Sequence, residues 1–124
     1  MKPFLLIILL FIFAAGQAKA TELKGNASYY SVAGCLGCSP SLTMLNGERL
    51  NDKKLTLALT PATVRKHDLL NEYVGIINLE NKKTIIAKVT DTGGFAKYNR
   101  IADLSKATKE ALGCSDICKI LIIV

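Results

Sequence analysis

Tryptophan is absent from this 124-residue chain, and its single histidine is His67. Aromatic residues make up 6% of the sequence, which argues against a long aromatic strip for stacking sugars or bases. The lysines are dispersed and few aromatic residues lie between them, so the pattern typical of a nucleic-acid interface is missing as well. We therefore expect no nucleic-acid partner.

Residues 1–20 have the pattern of a secretory signal peptide. Lys2 precedes an apolar run at residues 4–15, and Ala18-Lys19-Ala20 has the small-x-small form of a cleavage site. The run is shorter than the ~20 residues of a bilayer span, which favours cleavage over an uncleaved anchor. No cysteine directly follows the predicted cut, so no lipid anchor is expected. The sequence predicts a soluble protein that begins near Thr21, is periplasmic or secreted, and keeps no stable membrane anchor.

Residues 21–124 are enough for one domain and too few for two. The leader holds two of the 16 basic residues and none of the 10 acidic ones, which leaves 14 against 10 and a net charge of +4. This mild bias fits an anionic polymer or surface, although most individual lysines are expected to be solvated surface residues. We expect a monomer without a cofactor.

The four cysteines form two clusters, Cys35/Cys38 and Cys114/Cys118. An even count in a short exported chain predicts two disulfides, and the sequence leaves all three pairings open. Pairing across the clusters would close a loop of roughly 80 residues and add several kcal/mol of stability, whereas pairing within them closes small loops. A four-cysteine zinc site and a redox-active C-x-x-C motif are the alternatives. An oxidising compartment favours the disulfides, so no metal is expected.

Alternating and β-branched residues predict a mostly β domain of about six strands and one short helix. The pattern indicates individual strands at residues 25–30, 55–60, 73–79, 83–90 and 119–124. The strands at 73–79 and 83–90 are separated by a short polar link and should form a hairpin. Ser105 as N-cap and Gly113 as stop residue predict a helix that ends at Leu112. The polar stretch at residues 61–71 is compatible with a loop or a short helix.

Seven short motifs resemble, in order, those of the rare lipoprotein A type of double-psi β-barrel. The motifs are G-N-A-S-Y-Y-S (25–31), N-G-E-R-L (46–50), L-T-L-A-L (55–59), I-N-L with N-K (77–79 and 81–82), V-T-D-T-G-G-F (89–95), R-I-A-D-L-S (100–105) and A-L-G (111–113). The superfamily of this barrel also contains expansins, barwin and the family 45 endoglucanases. The resemblance implies a six-stranded double-psi β-barrel over residues 21–124, stapled by disulfides.

The resemblance also implies a chemistry. Proteins of the rare lipoprotein A type cleave peptide-free glycan strands of peptidoglycan as lytic transglycosylases, and two positions associated with that activity fall on Glu48 and Asp91. A carboxylate that matters in expansins and the endoglucanases falls on Asp103. The histidine position of the family is occupied by Leu59, which cannot transfer a proton. Asp91 is the candidate general acid, because a single acid of raised pKa suffices when the hydroxyl of the muramic acid itself attacks.

Several of these candidates have a structural alternative. Asp103 is either a groove carboxylate or a residue that satisfies backbone donors near the helix start. Glu48 is either a groove carboxylate or a charged turn residue, and His67 is most simply a solvated loop residue. Five further residues are candidate substrate contacts: Tyr29, Tyr30, Thr92, Gly93 and Arg100.

Two functions are therefore open. The first is an exported lytic transglycosylase acting on peptidoglycan, which the presence of Glu48, Asp91 and Asp103 favours. The second is a non-catalytic, expansin-like glycan-binding module, or a secreted effector or inhibitor on the same barrel, which Leu59 favours. Both readings expect peptidoglycan or another polysaccharide as the partner, and neither requires a cofactor.

Overall fold

The computed structural model describes residues 21–35 and 38–124. The predicted signal peptide lies outside the described residues, so its cleavage stays a prediction. The elements, in chain order, are β1 (Glu22–Tyr30), β2 (Thr56–Leu59), α1 (Pro61–His67), β3 (Tyr73–Asn78), β4 (Thr84–Thr92), a 3₁₀ turn (Phe95–Tyr98), β5 (Arg100–Ser105), α2 (Lys106–Leu112) and β6 (Cys118–Ile123). No helix in this described part is long and apolar enough to cross a membrane.

The six strands close into a barrel in the order β1-β5-β2-β4-β3-β6, which confirms the predicted six-stranded barrel. The pairs β1–β5 and β2–β4 are parallel, and the remaining neighbours are antiparallel. The predicted hairpin is present as β3 and β4, with Tyr73 opposite Lys88. Parallel partners need long connections, which is why β2 and β4 are joined through α1 and β3.

The barrel interior is filled by the apolar residues that alternate along the strands. Leu57, Ile76, Val89 and Ile120 are fully buried there, and Leu112 of α2 packs against the same cluster. Each such side chain contributes about 1.5–3 kcal/mol when it leaves water. A second, smaller cluster lies outside the barrel wall and is formed by Tyr30, Met44, Leu50, Ala58 and Phe95. This outer cluster fixes the connection between β1 and β2 against the barrel.

Both helices begin and end at residues that suit their positions. Ser105 caps α2 by accepting a hydrogen bond from the backbone of Thr108, and Gly113 ends the helix in the left-handed conformation, as predicted. The stretch left open as a loop or short helix is helical: Thr60 caps α1, and Pro61 occupies its first turn. The barrel therefore carries two short helices, one more than the sequence predicted.

β5 was not among the strands that the alternation of polar and apolar residues predicted. Its sequence, R-I-A-D-L-S, places Arg100 and Asp103 at an odd spacing, which disagrees with simple alternation of polar and apolar residues. The cause is a β-bulge. Asn26 pairs with Arg100 and Ala27 pairs with Ala102, which leaves Ile101 as an extra residue.

The cysteines pair within their clusters, as Cys35–Cys38 and Cys114–Cys118. The cross-cluster pairing considered from the sequence is not formed, because the two clusters lie in different parts of the molecule. Cys35 packs against the outer cluster, whereas Cys114 and Cys118 belong to the barrel interior. Each disulfide therefore closes a short loop and does not tie the start of the domain to its end.

Candidate functional site

Two carboxylates lie in one row across four neighbouring strands. Asp91 on β4 and Asp103 on β5 are both cross-strand partners of Ala58 on β2, and Asp103 also pairs with Ser28 on β1. Neighbouring strands are about 4.8 Å apart, so the backbones of the two aspartates are separated by roughly 10 Å. All four residues line one open groove with a volume of about 610 Å³. Ala58, between the two carboxylates, is buried in the outer cluster, whereas Asp91 and Asp103 are half-buried.

A β-bulge turns Asp91 toward this groove. Asp91 follows the inward-facing Val89 by two residues, so regular alternation would place it in the barrel interior. Leu57 pairs with Val89 but Ala58 pairs with Asp91, which makes Thr90 the extra residue. The bulge at Ile101 acts similarly on β5 and lets Arg100 line the same groove as Asp103. Two irregularities in the ladders thus assemble the charged residues of the site.

Hydrogen bonds fix both carboxylates. Ser28 Oγ donates to Asp103 Oδ1 at 3.0 Å. Asp91 Oδ1 accepts hydrogen bonds from the backbone N–H groups of Leu45, at 3.1 Å, and of Thr92, at 2.9 Å. The donor from Leu45 also links the groove floor to the connection between β1 and β2. Both acids are therefore preorganised before any ligand arrives.

The carboxyl group of Asp103 lies in an environment that disfavours its charge. Burial raises the pKa of Asp103 above its ordinary value, and the negative charge of Asp91 adds to that effect, while the hydrogen bond from Ser28 and the charge of Arg100 oppose it. The phenol of Tyr30 is affected in the same way, since burial is the main cause that raises the pKa of Tyr30. Sequence reasoning gave the role of protonated acid to Asp91. The structure adds Asp103 as a candidate for that role.

The two walls of the groove differ in chemistry. One wall is the connection between β1 and β2, where the Cys35–Cys38 disulfide, Leu42 and Met44 line the groove. A second wall is formed by the 3₁₀ turn and the start of β5, which contribute Lys97, Tyr98 and Arg100. The groove therefore has a mainly apolar side and a cationic, aromatic side.

The two tyrosines at the end of β1 face different surroundings. Tyr30 is 7% exposed and packs in the outer cluster, whereas Tyr29 is 38% exposed. Both still line the groove, and Lys109 Nζ lies 4.4 Å from the centre of the Tyr29 ring. Of the two, Tyr29 offers the surface that a sugar ring can contact.

The loop after β4 supports the groove at its edge. Thr92 and Gly93, two of the predicted substrate contacts, line the groove. A Cβ atom on Gly93 would lie 2.7 Å from the Phe95 ring, so this glycine makes room for the ring. Gly94 is exposed, and a Cβ atom on it would have no other atom within 4 Å.

Glu48 is not among the residues that line the groove. Lys88 Nζ lies 2.9 Å from Glu48 Oε1, and the amide of Asn46 donates to the same oxygen. The hydrogen bond from Lys88 is the main cause that lowers the pKa of Glu48. This arrangement matches the charged-turn alternative for Glu48 and separates it from Asp91 and Asp103.

Two other positions considered from the sequence lie away from the groove. Leu59 is fully buried in the barrel interior, so the position of the family histidine faces the core in this chain. His67 ends α1 and is not a groove residue. In the described ranges, no three His, Cys, Asp or Glu side chains are grouped to hold a metal ion. Sequence reasoning did not single out Ala58, Lys97 or Tyr98, although each lies in or beside a motif that it used.

No protein-family model matches the sequence, and no curated protein matches it either. Solved structures do match. An expansin from Clavibacter michiganensis superposes with a TM-score of 0.60 at 17% identity, over 84% of this chain and 50% of the expansin. The fold is a double-psi β-barrel.

Two further double-psi β-barrel structures give the same result. A mutant of that expansin in complex with cellohexaose matches with a TM-score of 0.61 at 16% identity, again over 84% of this chain and 50% of that chain. The Streptomyces papain inhibitor matches with a TM-score of 0.59 at 16% identity, over 84% of this chain and 94% of the inhibitor. The chain thus spans about half the length of the expansins that it matches and nearly all of the inhibitor. At such identities the likeness establishes the fold alone.

Proposed function

We propose that this double-psi β-barrel is an exported module that binds a cell-wall polysaccharide, with peptidoglycan glycan strands as the preferred partner. The observation that carries the proposal is the row formed by Asp91, Ala58 and Asp103 on the floor of an open groove. Both acids are half-buried in this groove, so hydroxyl groups of a sugar chain can reach a carboxylate on either side of the buried Ala58.

Three features support an extended sugar polymer as the ligand. The groove is partly open to solvent, and the exposed rings of Tyr29 and Tyr98 supply apolar faces in its lining. An expansin of the same fold is known in complex with cellohexaose, a linear glucose oligomer. The motif resemblance to the rare lipoprotein A type favours peptidoglycan among the possible glycans.

Export is part of the same proposal. Both disulfides are of the kind that persists in oxidising compartments, and the sequence before Thr21 has the pattern of a cleaved signal. We therefore infer a periplasmic or secreted protein.

Catalysis as a lytic transglycosylase is the second candidate, and the raised pKa of Asp103 favours it. In that reaction a protonated carboxyl group gives its proton to the glycosidic oxygen as the bond from that oxygen to C1 breaks. The C6 hydroxyl of the same muramic acid then attacks C1 and loses its proton to a carboxylate, so that no water is consumed. Asp103 would be the proton donor and Asp91 the stabiliser of the positive charge on the sugar. Leu59 argues for the binding function, because the chain lacks the histidine of the family at that position.

Incubation of the purified protein with peptide-free glycan strands tests both candidates together. Binding by co-sedimentation or calorimetry without new products supports the binding module, and 1,6-anhydromuramyl ends that disappear in Asp103→Asn support the enzyme. Ser115→Ala is a matched control, because Ser115 is exposed and lies away from the groove. Absence of both binding and products contradicts the proposal. In that case inhibition of papain, the property that names the Streptomyces relative, is the next activity to measure.

A further inference from the structure

The two exposed tyrosines of the groove each have a cation beside the ring. Lys97 Nζ lies 5.2 Å from the centre of the Tyr98 ring, and the guanidinium carbon of Arg100 lies 5.9 Å from it. Lys109 Nζ stands 4.4 Å from the ring of Tyr29. Tyr98 is 64% exposed, so a ligand in the groove can reach its ring and both neighbouring cations together.

These cations are not neutralised by ion pairs. Within residues 21–35 and 38–124, the one ion pair closer than 4 Å joins Glu48 to Lys88, outside the groove. Lys97 and Arg100 therefore keep their hydrogen-bond donors available for a ligand. Asp91 and Asp103 line the same groove, where no ion pair within 4 Å joins either acid to Lys97 or Arg100, although the charge of Arg100 lowers the pKa of Asp103.

This arrangement selects the chemistry of the ligand. An exposed phenol ring packs against the C–H face of a sugar, and a guanidinium group beside it binds a carboxylate through two parallel hydrogen bonds. A carboxylate on the same sugar would be repelled by Asp91 and attracted by Arg100, so it would sit at the cationic wall. A neutral sugar uses the ring but leaves both cations without a partner.

We infer that Lys97, Tyr98 and Arg100 form a subsite for a carboxylate-bearing sugar, so that the groove prefers an anionic glycan to a neutral one. The inference rests on the proposed glycan-binding function and adds the charge class of the ligand and the residues that recognise it. The carboxylate can come from the lactyl group of muramic acid or from a uronic acid, and the two sources share this chemistry.

Two matched ligand pairs test the preference. Glycan strands of alternating N-acetylglucosamine and N-acetylmuramic acid are compared with chitooligosaccharides of equal length, which have the same backbone without the lactyl carboxylate. Oligogalacturonate is compared with its methyl ester, which removes only the charge. We expect each charged member of a pair to bind about tenfold more tightly, a ratio equivalent to about 1.4 kcal/mol, and we expect this ratio to shrink at high salt. A preference in the first pair alone assigns the carboxylate to muramic acid, and in the second pair alone to a uronic acid.

Variants of Lys97 and Arg100 test whether these two residues cause the preference for the charged ligand. Arg100→Gln and Lys97→Gln should each reduce the ratio severalfold, whereas Lys119→Gln should keep it, because Lys119 is an exposed lysine on β6 outside the groove. Equal affinity for the charged and neutral members of both pairs overturns the inference while the binding proposal stands. A preference that falls as much in Lys119→Gln as in Arg100→Gln overturns it too, because it would reflect overall charge. Failure to bind any of the four ligands contradicts the binding proposal itself.

Discussion

Asp91 and Asp103 share Ala58 as a cross-strand partner, although they lie on strands that do not pair with each other. β2 separates the strands of the two acids and contributes only a methyl group between them. The position of β2 between the two strands therefore sets the distance between the carboxylates, and any larger residue at position 58 would press against the outer cluster beside the groove. This relationship links the barrel topology directly to the proposed binding groove.

The raised pKa of Asp103 predicts a specific pH dependence of stability. An aspartate whose folded-state pKa is raised binds more protons in the folded state than in the unfolded state between the two pKa values. The free energy of unfolding should therefore fall as pH rises from about 3.9, the ordinary aspartate value, through the folded-state pKa of Asp103. Asp103→Asn should lack this decline and melt at a higher temperature than the parent protein at neutral pH.

Thermal melts of both proteins between acidic and neutral pH measure this effect. Glu48 works in the opposite direction, because its lowered pKa stabilises the fold at higher pH and this stabilisation is lost on acidification. The difference between the melting temperatures of the two proteins at each pH excludes the contribution of Glu48, because both proteins contain it. A difference that does not change with pH would contradict the burial of the Asp103 carboxyl group.

Two adjacent glycines should respond differently to alanine. Gly93→Ala forces the Phe95 ring away from a Cβ atom that would lie 2.7 Å from it, and that ring is part of the outer cluster. We expect a loss of about 1–3 kcal/mol in the free energy of unfolding, together with weaker glycan binding. Gly94→Ala enters open space and should change stability by no more than about 0.5 kcal/mol. Chemical denaturation of both variants makes the comparison, and equal losses would contradict the described packing.

Ser105, the N-cap of α2, should contribute more to stability than Thr60, the N-cap of α1. Its hydroxyl accepts from the backbone N–H of Thr108 and donates to the carbonyl of Lys54 at 2.8 Å, so one buried group caps α2 and fixes the approach to β2. We expect Ser105→Ala to cost about 2 kcal/mol. Thr60→Ala, which removes only the half-buried cap of α1, should cost about 1 kcal/mol or less. A larger loss in Thr60→Ala would contradict this ranking.

The two disulfides should have separate roles. Both close small loops, for which the chain-entropy model gives similar contributions of about 2 kcal/mol. Replacing Cys114 and Cys118 by serine also buries polar groups in the core, where Cys118 is 3% exposed, so this pair should lower the melting temperature more. Replacing Cys35 and Cys38 should mainly weaken ligand binding, because they line the groove.

Peptide mapping of the unreduced protein checks the pairing itself. We expect linked peptides within each cluster, and peptides that join Cys35 or Cys38 to Cys114 or Cys118 would contradict the structure.

Alternation and capping residues predicted most of the fold. The β-branched residues of β3 and the alternation in β4 identified the hairpin, and Ser105 and Gly113 gave both ends of α2 correctly. These features depend on neighbours in sequence. β5 was missing from the strands that alternation indicated, because its bulge at Ile101 breaks the period that marks a strand.

The candidate site was predictable only in part, because its geometry depends on contacts between distant strands. The motif resemblance identified Asp91 and Asp103, but Ala58 gains its importance only from the strand order. Glu48 was grouped with the acids by its motif, and its ion pair with Lys88 depends on a contact that no local pattern records. The sequence left the cysteine pairing open as well, because the positions of the two clusters depend on the same long-range contacts.

The most direct test of the proposed groove is to map the backbone amide shifts of the isotope-labelled protein during titration with peptide-free glycan strands. We predict that the largest shifts occur at Ala58, Asp91 and Asp103 and at the wall formed by residues 97–100. Shifts confined to the opposite side of the barrel, around the exposed Tyr73 and Ile86 on β3 and β4, would contradict it.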